Sequence, residues 1–434
     1  MIDAPILVIG GGPAGVSAAL TLAEMGQQVV LVEQRNQLGG AIHRQPARTE
    51  GRHLHRLARH TRSWGNLTRR LAAAGPSITL QTSTVFLGID GSGRVLLDDR
   101  LKGRVLACRA RGIIMALGAV ERVHPFPGWE LPGVISAGGA QVLLKETGHP
   151  PDGPILVAGS GPLPFALAAQ MASAGNPPVA VLERGRPWRQ WPALIKVLSS
   201  PAHAWEALTY AAQLKAKRVP YLTDAEVLHA RPEAGGLEVQ VRHGGSTRVY
   251  HVRHLVVHDG LQPNATGVPS DHPQDKVPVL KAGDGREILG ADAAIVDGCR
   301  TALNLAARLG LVPPSNTLLP ALARARKLQS ALAHIYRAAP PVLPEETLIC
   351  RCEGLSRADF NALPARFSPR EVRLVGRFGM GACQGRFCGP TVASLKGEDA
   401  GTAAPLAPSR WPLRPVSVAA LARLHDISSD TSEL

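Results

Sequence analysis

Aromatic residues make up only 4% of the 434 residues, and no uninterrupted apolar run is long enough to cross a bilayer. A membrane span is therefore not expected. Cysteine is also scarce: there are six, and four of them fall between Cys350 and Cys388. A disulfide framework would spread them more widely and belongs to secreted chains, whereas clustered cysteines point to metal or redox chemistry. Cys108 and Cys299 stand alone and read as small buried apolar residues. The opening MIDAPILVIGGG has neither a basic region nor a small-residue cleavage site around its apolar run, so no secretory signal is expected. The expected location is the cytoplasm, with peripheral contact at the inner membrane face as the most that the charge suggests. Acidic residues are missing between Arg52 and Arg70, where six arginines and three histidines occur. With a formal net charge of +14 this favours acidic partners, but no nucleic-acid motif accompanies it, and the stretch reads as a solvated helix face.

The residues present give a clearer signal. A short apolar run, Ile6 to Ile9, leads directly into Gly10-Gly11-Gly12-Pro13-Ala14-Gly15 and then the helical pattern VSAALTLAEMG. A second apolar run, QVVLVE, ends in Glu33, near the spacing expected for an acid that binds a ribose. Gly10 allows the tight turn, Gly12 lets backbone approach a pyrophosphate, and Gly15 lets helix and strand pack closely. The phosphates would meet free N–H groups and the positive end of the helix dipole. The unit recurs at PILVAGSGPLPFALAAQMASAG, with Gly159, Gly161 and a terminal Glu183, but Pro164 replaces the third glycine. Its ring stands where helix and strand should meet, and it removes an N–H that could face phosphate. Whether this second site takes NAD(P), another nucleotide or nothing stays open. Arg184 and Arg186 would suit a phosphorylated ribose, against the acid beside them. Between the two units there is no CxxC or CxxxxC, so a disulfide-reductase mechanism has no dithiol.

The first unit, followed by Gly39-Gly40, the segment GIIMALGAVERVHPFPGW and the late VLKAGDG, resembles the FAD-binding half of two-dinucleotide-domain flavoproteins of the glutathione-reductase-like class. That resemblance implies an FAD site formed by Gly10, Gly12, Pro13, Ala14, Gly15, Glu33, Gln34, Gly39, Gly40, Val85, Gly118, Gly283 and Asp284, the last on the ribityl chain. Leu117 departs from the usual threonine. The fold implied is α/β, with two Rossmann-like domains and a small C-terminal [2Fe-2S] domain. FAD binding is expected over residues 1–150 and 255–340, the second nucleotide domain over 151–254, the cluster domain over 345–398, and a linker and arm over 399–434. The proline-broken arm RWPLRPVSVAALARL is expected to pack on a surface, either the chain's own or a partner's, with the partner preferred.

Cys350-Arg-Cys352 and Cys383-x4-Cys388 could hold a [2Fe-2S] cluster or a tetrahedral zinc. Ser356-Arg-Ala-Asp359 reads as a capping box and Pro390 as a first helical residue, which would set both cysteine pairs by helix N-termini. Arg351, Arg377 and Arg386 lie close in sequence. GMGACQGRFC with the preceding CxC resembles the [2Fe-2S] domain of bacterioferritin-associated ferredoxins, which implies that Cys350, Cys352, Cys383 and Cys388 ligate iron.

The whole order of segments resembles the larger flavoprotein subunits of heteromeric dehydrogenases, such as opine oxidases, proline or hydroxyproline dehydrogenases and hydrogen cyanide synthase. The resemblance implies a smaller flavoprotein subunit that oxidises a C–N bond of an amino acid, imino acid or opine, and passes its electrons to this chain's FAD and cluster. The segment from Asn264 to Val279 is shorter than in that group and puts a strand before Asp284 in doubt. No catalytic residue is assigned here: His43, Arg44 and His124 near the flavin segments read as structural. The alternatives are a stand-alone NAD(P)H-dependent reductase and a flavin-free iron-sulfur scaffold. Substrate and electron acceptor are not readable from the sequence.

Overall fold

The computed structural model describes residues 4–46, 58–122, 124–198, 200–265, 267–269, 277–312, 318–339, 342–398, 406 and 412–427. Two five-stranded parallel sheets organise these residues. In the first, the strand order is Val279–Lys281, Gly112–Met115, Ile6–Ile9, Val29–Val32 and Ile78–Gln81, every neighbour pair parallel. The central strands are continuous Val, Ile and Leu and buried on both faces, as a sheet covered by helices requires. The helix Pro13–Glu24 covers one face. It starts with proline at its first position, where a missing N–H costs nothing, and packs against the helix Ala291–Arg308. That contact needs Gly298, since a Cβ there would stand 2.2 Å from the Ala14 carbonyl oxygen.

The second sheet repeats the plan in the order Tyr221–Thr223, Ala180–Glu183, Ile155–Gly159, His254–His258 and Val134–Ser136, again all parallel. Sheet membership moves the expected boundaries. Strand Val134–Ser136 falls within the predicted first segment and His254–His258 straddles the predicted return at 255, yet both belong to the second sheet. The strand Val279–Lys281 before Asp284 is in place, so the short preceding segment does not remove it; residues 270–276 of that segment lie outside those described.

The C-terminal arm takes the first of the two expected surfaces, the chain's own, and not the preferred partner's. Its strand His425–Ile427 pairs in parallel with Arg104–Cys108 of the chain's own four-stranded sheet. Ala420 of the helix Val418–Ala422 is buried with Val85, Leu87, Leu96, Val105 and Ala107. Without the arm, Arg104–Cys108 would be an edge strand with unpaired backbone groups, and the arm satisfies them. Between arm and second sheet, residues 342–398 build a small core of their own around Ile349, Val372, Phe378 and Val392. The Ser356–Asp359 capping box forms as expected. Pro390, however, sits two residues inside the helix Cys388–Leu395, and Cys350 ends a strand, so only the second cysteine pair reaches a helix N-terminus.

Candidate functional site

The first glycine turn opens onto a cavity of about 2070 Å³, twice the ~1,000 Å³ upper end of ordinary ligand pockets. Gly10, Gly12, Pro13, Ala14, Glu33, Gln34, Gly40, Val85, Gly118 and Asp284 line it. The remaining three predicted residues support the wall. A Cβ on Gly15 would lie 1.8 Å from the Gly10 carbonyl oxygen, so helix and turn can meet only through glycine. Gly39 packs on the His43 backbone and Gly283 on the Ala14 side chain.

Glu33 is fixed by two backbone donors: the Gly11 N–H at 2.7 Å and the Arg35 N–H at 2.9 Å. Asp284 accepts from the N–H groups of Leu289 at 3.0 Å and Gly290 at 3.2 Å, while burial pushes its carboxyl above the usual range. Two further groups, which sequence reasoning did not find, hold the wall. Lys145, on the helix Ala137–Thr147 beside the second sheet, lines the cavity and donates to the carbonyls of Ala41 and Ile42 at 3.0 and 3.2 Å. Glu146 next to it receives both Arg35 and Arg44, the latter at 2.7 Å. No local pattern marks these residues, because the helix reaches the first unit across about a hundred residues of chain.

His43 is buried and stacked on Trp64 at 4.9 Å between ring centroids, outside the cavity wall. Burial holds the His124 ring down at about 4, against the opposing charge of Asp259. The His124 ring is therefore neutral near neutral pH.

The second crest looks different. Gly159, Gly161 and Glu183 line neither this cavity nor the one described next. Glu183 is 2% exposed; its Oε1 accepts from the Ser160 hydroxyl at 2.8 Å and the Gly185 N–H at 2.7 Å, and its Oε2 from the Gly161 N–H at 3.1 Å. Burial raises its pKa. The Ser160 hydroxyl also donates to the Tyr336 carbonyl at 2.7 Å, which brings the end of the helix Leu319–Ile335 onto the turn. Arg184 pairs with Asp259 at 3.3 Å and Arg186 with Asp224 at 2.7 Å, so each of the two arginines considered for a ribose phosphate holds a carboxylate of its own chain.

The four clustered cysteines do come together. Cys350, Cys352, Cys383 and Cys388 ring a cavity of about 330 Å³, with Arg351, Arg386 and Phe387. The Cys388 thiol stands within hydrogen-bonding reach of the sulfurs of Cys350 and Cys383, which share its one proton. Those hydrogen bonds hold Cys350 down at about 6 and Cys383 at about 4 against the upward push of burial. Cys388, which keeps the shared proton, is raised, and burial raises Cys352. Two of the sulfurs thus favour the thiolate, the form that ligates metal. Among the described residues no group of three or more His, Cys, Asp or Glu side chains is arranged to hold a metal ion as it stands. Arg377 turns away to pair with Glu353 at 2.6 Å, while Arg351 lies between Trp129 and Phe387, at 5.4 and 5.8 Å from their ring centroids. Arg386 stands in the wall of both cavities.

Residues 4–286 match the family described as Pyridine nucleotide-disulphide oxidoreductase. The chain is 30% identical to an opine oxidase subunit of Rhizobium meliloti (strain 1021), over 96% of this chain and 98% of that one. It is 29% identical to the hydrogen cyanide synthase subunit HcnB of Pseudomonas aeruginosa, over 88% and 90%. In fold it is similar to L-proline dehydrogenase from P. horikoshii, with a TM-score of 0.62 at 17% identity, covering 97% of this chain and 80% of that one. Thioredoxin reductase of T. acidophilum matches 71% of this chain and 99% of its own length at a TM-score of 0.50 and 16% identity.

Proposed function

Since the chain belongs to the pyridine nucleotide-disulphide oxidoreductase family and is a flavin oxidoreductase close to opine oxidase and hydrogen cyanide synthase subunits, we propose that it is the electron-transferring subunit of a heteromeric dehydrogenase. The complex would oxidise a C–N bond of an amino acid, imino acid or opine, with the substrate held mainly by a smaller flavoprotein subunit. The observation that carries this reading is the adjacency of a glycine-lined dinucleotide cavity and a four-thiol cavity, with Arg386 in both walls.

The residues fit the groups proposed. FAD fits the large cavity, where bare backbone at Gly10 and Gly12 can approach a pyrophosphate and where Glu33 and Asp284 offer carboxylates to hydroxyls. A [2Fe-2S] cluster fits the small one by its donor set: four cysteines in one wall, two of them favoured as thiolates, with no His, Asp or Glu among the residues that line it. Loading includes drawing the four sulfurs onto the metal. Four thiolates would also suit zinc, but the flavin cavity next door favours the redox metal. When bound, FAD supplies two-electron and the cluster one-electron chemistry. The chain's own residues do the rest: Arg351 clamps the CxC loop between two rings, and Arg386 places positive charge at the junction, which raises the potential of an anionic cluster.

The second crest does not serve nicotinamide in this reading, because Glu183, unlike Glu33, lines no cavity, takes the Ser160 hydroxyl besides its two backbone bonds, and has Tyr336 over its turn. The test is an anaerobic titration of the purified protein with NADH, then NADPH, followed at the flavin band. No bleaching is expected, with dithionite still reducing the protein, and iron analysis should give ~2 atoms per chain. Cys383→Ser should lose the iron and keep the FAD. Stoichiometric bleaching by NADH would make the chain a stand-alone reductase, and unchanged iron in Cys383→Ser would remove the cluster assignment.

A further inference from the structure

Three of the chain's six tryptophans stand in solvent on one short stretch. Trp188 is 70% exposed, Trp191 65% and Trp205 72%, and Ile195 and Leu208 beside them are 59% and 62% exposed. They sit on three touching elements, the turn Pro187–Arg189 and the helices Trp191–Leu198 and Pro201–Ala216. Trp191 and Ile195 are four residues apart and Trp205 and Leu208 three, so each pair lies on one face of its helix. Single exposed apolar residues are ordinary, but a group of large ones on adjoining elements marks an interaction surface. In a chain with so few aromatics, nothing in the fold itself accounts for the concentration.

We infer that this face seats the smaller flavoprotein subunit, an inference that rests on the heteromeric reading above. Charge selects the occupant. From Trp188 to Arg218 the chain carries Arg189, Lys196, Lys215, Lys217 and Arg218 against one acid, Glu206, and that acid accepts from Tyr210 at 3.2 Å. A second copy of this chain, meeting the same face across a two-fold axis, would set cation against cation. The complementary surface has apolar sockets for the tryptophans and an acidic rim. Position supports the same choice: the two helices that expose the tryptophans also turn Lys196, Val197, His203 and Tyr210 to the large cavity, so a protein seated here borders the flavin site. A lipid surface would use the tryptophans and cations but has no part in that cavity.

The test uses the full chain and the second flavoprotein subunit purified with it from its own source, separated by salt and recombined. Trp191→Asp with Trp205→Asp should raise the dissociation constant by about 30-fold or more. Arg189→Glu with Lys215→Glu should slow association and flatten its salt dependence. All four side chains are exposed, so flavin content and the melting curve of the isolated chain should not change. A dissociation constant within about twofold of wild type in the tryptophan variant would overturn the surface and leave the heteromeric reading standing. A chain that carries no second flavoprotein would overturn both. Tryptophan-dependent dimerisation of the chain alone, or tryptophan-dependent binding to phosphatidylserine vesicles with the partner's affinity unchanged, would assign the face to a second copy or to lipid and overturn the inference.

Discussion

Asp297 shows how a buried charge can hold a loop of the cavity wall without lining the cavity itself. It is 1% exposed, and its carboxylate receives the Gly283 N–H at 2.8 Å, Arg286 at 2.7 Å and Arg300 at 2.9 Å. Burial alone would raise its pKa, but the bonds from Arg286 and Arg300 outweigh it and the pKa lies below the usual value of 3.8. A carboxyl depressed in the folded state releases its proton more readily there than in the unfolded chain. Its contribution is therefore complete above the unfolded value and is lost as pH falls through the folded one. Asp297→Asn keeps the shape, removes the charge and leaves one of the backbone and guanidinium donors unmatched. Breaking a fully buried pair costs about 3–5 kcal/mol; with both arginines partly in solvent, about 2 kcal/mol is expected at pH 7. Urea denaturation should show that gap at pH 7 and show it closing below about pH 4. An equal gap at about pH 3 would mean that the carboxylate's charge contributes nothing.

At the level of elements, one tryptophan joins the thiol domain to the first part of the chain. The Trp129 indole N–H donates to the Leu348 carbonyl at 2.7 Å, on the strand that ends in Cys350, and Arg351 lies over its ring. Trp129→Phe keeps a ring for Arg351 and loses the hydrogen bond, a cost of about 1 kcal/mol; Trp129→Ala opens the contact at about 3–5 kcal/mol. Amide exchange over residues 348–353 should quicken slightly in the first variant and strongly in the second. Exchange unchanged in Trp129→Ala would show that the thiol domain docks elsewhere. Trp129 belongs to the PFPGW segment, which the sequence marks only as flavin-associated; its bond to Leu348 spans 219 residues and leaves no local signal. The glycine turns are the opposite case. Strand, turn, helix and Glu33 lie within about thirty residues, so backbone sterics and hydrogen bonding write them into the local sequence. Tyr336 on Ser160, Lys145 on the 41–42 carbonyls and Arg386 between the cavities arise from packing of distant segments, where no spacing rule applies.

Across the whole chain, the arm joins what the two sheets leave separate. The Leu413 N–H donates to the Leu87 carbonyl at 2.7 Å, in the four-stranded sheet whose Val85 lines the large cavity, and the Leu413 carbonyl accepts from Arg386 of the thiol domain at 3.1 Å. Arg414 next to it is half-buried, with its pKa lowered by burial and by the nearby Arg386. One short segment thus ties both cavities to each other, while Ala420 and the strand His425–Ile427 anchor it on the sheet. A tail read from sequence as an arm for its own surface or a partner's is in this fold the closure of the chain on itself. A chain ending at residue 411 would lose the Leu413 bonds, the added strand and the apolar cover over Val85 and Leu87. Such a chain should fold its two parallel sheets, whose cores do not include the arm beyond Leu413. Its dissociation constant for FAD should rise at least tenfold, about 1.4 kcal/mol of binding, with flavin lost on gel filtration, and proteolysis between residues 342 and 350 should quicken. A truncated chain that keeps wild-type flavin content and resists cleavage there would show that the cavities are held together without the arm, and that Arg386 finds its place from the thiol domain alone.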